Sequence, residues 1–141
     1  MGAEHDAYWQ LDSEESGIEK AYCCLASNAL DFARFGKLYK DKGNWMGNQI
    51  LDSAYVAKSI SPRFEDSPQY GYGWWMHSHM GHNFFMMKGH LGQYVMVNPK
   101  DNVIIVRLGH LHSKRAQNRD FGDDIPVYIE EAYQMLDQAG I

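Results

Sequence analysis

Cysteine is nearly absent: the 141 residues hold only Cys23 and Cys24, side by side. Sequence neighbours rarely bond to each other, so no disulfide framework is expected and both thiols read as small buried apolar groups. No apolar run approaches the roughly 20 residues that cross a bilayer, which predicts no membrane span. The opening Met-Gly-Ala-Glu-His-Asp carries no signal-peptide apolar stretch, an observation without weight if the chain is a piece of a longer one. Basic residues are in deficit, 13 Lys and Arg against 18 Asp and Glu, for a net charge of -5. That balance argues against nucleic acid or an anionic membrane as partner. The one basic cluster, Lys114, Arg115 and Arg119, reads as a solvated loop.

Catalytic signatures are missing too. No serine is followed three residues later by lysine, and no Gly-x-Ser-x-Gly elbow occurs. There is no His-Glu-x-x-His, no Cys-x-x-Cys and no glycine-rich phosphate loop, so no metal or organic cofactor is expected.

What remains is enough for one globular domain, with 45% hydrophobic and 13% aromatic residues. Residues 1–26 show no clear period, and the acidic stretch 12–17 reads as a loop. Ser27 is the expected N-cap of a helix running to about Lys40, with Phe32, Phe35, Gly36 and Tyr39 as its buried stripe and Gly43 as its stop. Residues 44–48 look like a turn, and Asp52 or Ser53 caps a short helix that ends at Ser61-Pro62. From Tyr70 the period becomes two. Residues 70–77, 84–88, 94–97 and 103–108 are predicted strands joined by connections too short for parallel crossovers. A final helix over 125–139 has Asp123, Asp124 and Pro126 at its start and Ile129, Ala132, Tyr133 and Leu136 as its stripe. The fold class is α+β, an antiparallel meander flanked by helices.

Two features invite a functional reading. His77 and His79 share a strand face, His110 and His112 are likewise two apart, and His82 and His90 are near in sequence, so a metal site is conceivable. No thiolate supports any of these pairs, and exposed or hydrogen-bonded histidines are the plainer reading. The second is Gly89-His90-Leu91-Gly92-Gln93, between two strands. It is either a tight hairpin turn that glycine suits, or a place where backbone approaches a substrate with an N–H aimed at it.

Taken in order, several segments resemble 6-aminohexanoate-dimer hydrolases, a branch of the class C β-lactamase-like and penicillin-binding-protein-like serine hydrolases. They are Gly2-Ala-Glu-His-Asp-Ala-Tyr8, Leu25-Ala-Ser-Asn-Ala-Leu-Asp-Phe-Ala-Arg-Phe-Gly36 and Tyr70-Gly-Tyr-Gly-Trp-Trp75. Gly89-His-Leu-Gly-Gln93 follows, then Val97-Asn-Pro99 and Val103-Ile-Ile-Val106. The resemblance implies a central antiparallel sheet covered by helices, with residues 1–141 as the C-terminal part of such a domain. It implies acyl transfer at a small amide or ester substrate through a serine in Ser-x-x-Lys, helped by a tyrosine, both upstream of the matching region. The retained motif would be the oxyanion strand. Its backbone donor aligns with His90, with Leu91 as the alternative because Lys88 precedes Gly89. Gly92 would allow close approach, and Gln93 would contact substrate or anchor the strand. Alone, the chain is expected to be catalytically silent. The rival reading is a non-catalytic binding or structural module on the same fold. Without the upstream part, an open strand edge and an apolar patch of Trp74, Trp75, Phe84 and Phe85 are expected, favouring self-association.

Overall fold

The computed structural model describes residues 1–3, 5–111 and 120–141, so Glu4, His112 and the cluster Lys114, Arg115 and Arg119 lie outside the described residues. Its centre is a four-stranded antiparallel sheet in meander order: β5 (Trp75–His79), β6 (His82–Lys88), β7 (Tyr94–Asn98) and β8 (Val103–Arg107). Before it come two small ladders and two helices. β1 (Tyr8–Trp9) pairs with β2 (Leu25–Ala26), and β3 (Asn44–Trp45) pairs with β4 (Asn48–Gln49). The helices α1 (Ala29–Lys40) and α2 (Ser53–Ser59) precede the sheet, and α3 (Asp124–Ala139) closes the chain.

The alternation of side chains along β6 and β7 divides the core in two. Phe85, Val95 and Val97 face α1, where they join Tyr39, Val56 and Trp74. Phe84, Met86, Tyr94 and Met96 face α3, against Ile125 and Ile129. Gly36 lets α1 settle close to the sheet, since a Cβ there would lie 3.0 Å from both Val95 Cγ1 and Val97 Cγ2. The helices therefore cover both faces, and the expected apolar patch is absent: Trp74, Phe84 and Phe85 are buried and Trp75 is half-buried. Their cover comes from the chain's own helices, through the stripe of α1 and the first two turns of α3.

Three local expectations change. The cap of α1 is Asn28, whose side chain accepts from Asp31 N at 2.9 Å, while Ser27 bonds the Asp31 carboxylate instead. Residues 44–49 form a hairpin rather than a bare turn, because Met46 and Gly47 both take positive φ and fold the chain back. The aromatic stretch from Tyr70 is not one continuous strand. Gly71 N donates to Trp74 O, Met76 N to Gln69 O, and Tyr70 bridges Trp75, so residues 69–76 double back before β5 begins. Gly71 makes this possible: a Cβ there would lie 2.1 Å from the Ser59 carbonyl oxygen at the end of α2.

The cysteines also depart from expectation. Cys23 and Cys24 are bonded to each other; Cys23 is half-buried and Cys24 exposed. No layer among the described residues buries this segment, and Cys24 takes a positive φ. No helix among the described residues is long and apolar enough to cross a membrane.

Candidate functional site

The turn at residues 89–93 joins β6 to β7, at the end of the sheet where β5 begins and β8 ends. Its closure is local. Gly89 N donates to Gln93 O at 2.7 Å, and Gly92 N to Gly89 O at 3.3 Å. Gly92 has φ +80°, a left-handed geometry that a side chain resists, and it is buried where the turn meets the sheet. The plain reading of this segment as a tight turn is thus correct as geometry.

Gln93 is spent inside the turn. Its Oε1 accepts from Leu91 N at 3.1 Å and its Nε2 donates to the Gly109 carbonyl at 2.5 Å, just beyond β8. Both ends of its side-chain amide are thus bonded within the chain. Arg107, at the end of β8, donates to the Gly92 carbonyl, to Leu111 O at 2.7 Å and to the Tyr128 hydroxyl at 2.8 Å. Its guanidinium also lies over the rings of Tyr94 and Tyr128. With the Leu91 amide engaged, the exposed His90 amide has no hydrogen-bond partner among the described residues. The Gln93 amide, in the half-buried base of the turn, has none either.

Lys88 does not present its ammonium to this turn. Nζ sits 3.9 Å from the centroid of the Trp75 ring, faces Phe121 and donates to the Asp120 carbonyl. Burial holds its pKa below the usual lysine value, against the opposing pull of the Asp120 carboxylate. Gln69 reaches the same Asp120 carboxylate at 2.7 Å. This aromatic cage and the Arg107 fork escaped sequence reasoning; a charged residue ending each of two apolar strands, β6 and β8, is the signal that marks both.

The histidines do not converge. His77 and His79 stack on one face of β5 with centroids 6.4 Å apart, but His79 pairs with Glu130 at 2.7 Å while His77 packs on Phe121. The Nε2 of His77 is buried without a partner among the described residues, and burial first, then His79, lowers its pKa. His82 belongs to the other end of the sheet, where Asp101 Oδ2 receives His82, Tyr133 and Asn98 within 2.7 Å. Its ring lies flat on Tyr133 at 3.8 Å. His90 and His110 are exposed. Among the described residues no group of three or more His, Cys, Asp or Glu could hold a metal.

Two clefts, of about 450 and 350 Å³, share Met80 and His82 in their walls and lie at that far end, so neither borders the turn. Within the turn Gly89, His90 and Leu91 are exposed, while Gly92 is buried and Gln93 half-buried.

No family model matches the sequence, and no curated protein is significantly similar to it. Solved structures do match. The "putative 6-aminohexanoate-dimer hydrolase" from Bacillus anthracis superposes with a TM-score of 0.67 at 26% identity, covering 96% of this chain and 34% of that protein. The fold is therefore β-lactamase-like and matches a part of this neighbour, the chain spanning about a third of its length.

Proposed function

We propose that the chain is the C-terminal portion of a serine hydrolase that cleaves amide or ester bonds through an acyl-enzyme. In this reading upstream residues supply the nucleophilic serine, its lysine and the tyrosine. The present residues supply the sheet and the element that receives the carbonyl oxygen. As the carbonyl is attacked its oxygen gains negative charge, and a fixed backbone N–H at that point lowers the barrier without reorganising. The carrying observation is the Gly-x-x-Gly-Gln turn with its unpartnered, exposed His90 amide, on a fold that matches a hydrolase across nearly the whole chain. His90 is the proposed donor; Gly89, Leu91, Gly92 and Gln93 form the adjoining wall. The Leu91 alternative is weakened by the bond its amide already makes to Gln93. The substrate is a small amide or ester.

The remainder of the domain is the proposed partner. Among the described residues β8 is the last strand of the sheet on its side, and its residues are half-buried where those of β7 are buried. An edge of this kind takes a further strand readily, from an upstream segment or from a second copy, so self-association of the isolated chain remains part of the proposal.

Reading the coding sequence upstream is the direct test. In-frame Ser-x-x-Lys and Tyr-x-Asn codons are expected, and a stop codon immediately upstream sinks the proposal. The isolated chain should show no stoichiometric labelling by a fluorophosphonate probe. Labelling of any serine in it would mean that the nucleophile search missed the site. One observation favours the second reading, a self-sufficient binding or structural module: the chain's own helices cover both sheet faces. A clean monomer in sedimentation at micromolar concentration would favour that module.

A further inference from the structure

We propose that Gln93 and Arg107 are positioning residues that select which amide the turn at residues 89–93 offers to an oxygen anion. The inference rests on the reading of that turn as an oxyanion-binding element, and it concerns how the element is set rather than whether it exists.

Three of the turn's amides are consumed within it: Gly89 by the Gln93 carbonyl, Gly92 by the Gly89 carbonyl, and Leu91 by Gln93 Oε1. The last is the selective one, because a side chain performs it and the backbone does not require it. Without Gln93, the exposed amides of His90 and Leu91 stand as neighbours of equal standing, and an anion could be held by either. With Gln93 in place, His90 keeps the one unpartnered amide among the exposed residues of the turn, the Gln93 amide lying at its half-buried base. Gln93 is held in turn by donating to Gly109, and the Gly92 carbonyl is pinned by Arg107. Arg107 cannot drift, since the Tyr128 hydroxyl on α3 and the Leu111 carbonyl take its other donors. The turn is thereby braced from β8 and from α3 together.

Gly89 belongs to the same device. A Cβ at that position would stand 2.6 Å from Gln93 Oε1 and 3.0 Å from Gln93 Cβ, so the glutamine fills the space that the glycine leaves. A side chain at 89 should displace Gln93 and release Leu91 as surely as removing Gln93 does.

Amide-resolved NMR on the whole 141-residue chain tests this, with hydrogen exchange as one readout and titration with inorganic phosphate, at matched ionic strength, as the other. In the unsubstituted protein Leu91 should exchange about tenfold more slowly than His90, and phosphate should move the His90 resonance but not that of Leu91. In Gln93→Ala the Leu91 protection should vanish and phosphate should move both amides. Gly89→Ala should reproduce that pattern, whereas Gln93→Glu, which keeps the acceptor for Leu91 but loses the donor to Gly109, should leave Leu91 more protected than in Gln93→Ala and less than in the unsubstituted protein. Arg107→Lys should broaden both resonances while the thermal midpoint, read on the same samples, reports whether the fold survives. Protection of Leu91 that persists in Gln93→Ala overturns the proposal. If exchange behaves as expected but phosphate moves neither amide, the oxyanion reading fails. The brace then survives as structure only, which overturns the selective role.

Discussion

Residues 8–26 and the sheet β5–β8 are both built from antiparallel ladders, yet they are held by different forces. In the sheet, Phe84, Phe85, Met86 and Met96 lose nearly all contact with water between two helices. In residues 8–26 the apolar side chains face outward: Tyr8, Trp9, Leu11, Ile18, Tyr22 and Leu25 are all exposed. This segment is tied by polar contacts instead. Trp9 Nε1 is shared between the carbonyls of Lys20 and Cys23, and Asp12 accepts from Ser13 N, Ile18 N and the Ser16 hydroxyl. Exposed hydrogen bonds add little net stability, since water competes for both partners. The sheet thus has a core of its own with the helices, whereas the apolar side chains of residues 8–26 add little to it. Each of these apolar side chains is in contact with water rather than with a core. Exposed apolar side chains are gathered here rather than on the aromatic faces of the sheet, where Trp74, Phe84 and Phe85 are buried.

Truncation gives the largest expected effect and breaks the comparison if it is wrong. Met96→Ala, in the middle of β7 and wholly buried, should cost about 2–5 kcal/mol of unfolding free energy. Leu25→Ala should change it by less than about 0.5 kcal/mol, because its side chain has little burial to lose. Urea unfolding of both variants decides the matter. Similar losses would mean that residues 8–26 share the sheet's core after all. A smaller effect is expected at the junction of the two regions: Asn28→Ala removes the cap of α1 and should cost about 1 kcal/mol. Loss confined to α1, seen as faster exchange of its first-turn amides, would show that the junction melts without the sheet.

These regions also differ in how much the sequence disclosed. The meander and α3 were legible because burial on two faces imposes period two on the strands and an apolar stripe on the helix. The doubling-back at residues 69–76 was not, since aromatics alternating with glycines satisfy a strand and a tight hairpin alike. Only the approach of Gly71 to Ser59, far apart in sequence, separates them. Residues 8–26 were opaque for the opposite reason: single hydrogen bonds from Asp12 and Trp9 leave no periodic trace. At the candidate site, Gly89 and Gly92 announced the turn. The bonds that set its amides run from Gln93 to Gly109 and from Arg107 to Gly92, contacts between strands that no local pattern encodes.

Acid should act on the sheet in two windows. The pKa of His77 is depressed by burial and then by His79, so the folded state resists the proton that the unfolded chain accepts. Above about 6.5 both states are neutral there and the group is silent; below it, stability is lost until the folded value is passed. His77→Phe should flatten this first window and remove the unpartnered Nε2. The Asp101 carboxylate is held below its usual value first by the Tyr133 hydroxyl and then by His82. Its contribution is present above about 3.8 and lost as pH falls through its folded value. Thermal midpoints measured from pH 8 to 3 should show both steps, with Asp101→Asn shrinking only the second, which Asp12 and Asp41, also held below the usual carboxylate value, share. A single step near pH 4 in the unsubstituted protein would mean that His77 titrates as if exposed.

The smallest effect is expected from the bond between Cys23 and Cys24. A disulfide stabilises chiefly by restricting the unfolded chain, and the benefit grows with the loop it closes. Here the loop is the shortest possible, and it lies in the region whose apolar side chains are already in water. Reduction should therefore release two titratable thiols yet lower the thermal midpoint of the sheet by less than about 2 °C. The measurement pairs a thiol count with thermal unfolding, with and without a phosphine reductant. Two thiols in the untreated protein would show that the pair is not bonded in solution. A fall of 5 °C or more on reduction, taken as roughly 1 kcal/mol or above for a chain of this size, would tie residues 8–26 to the sheet's cooperative unit. The comparison between a self-sufficient sheet and an unpartnered segment would then have to be given up.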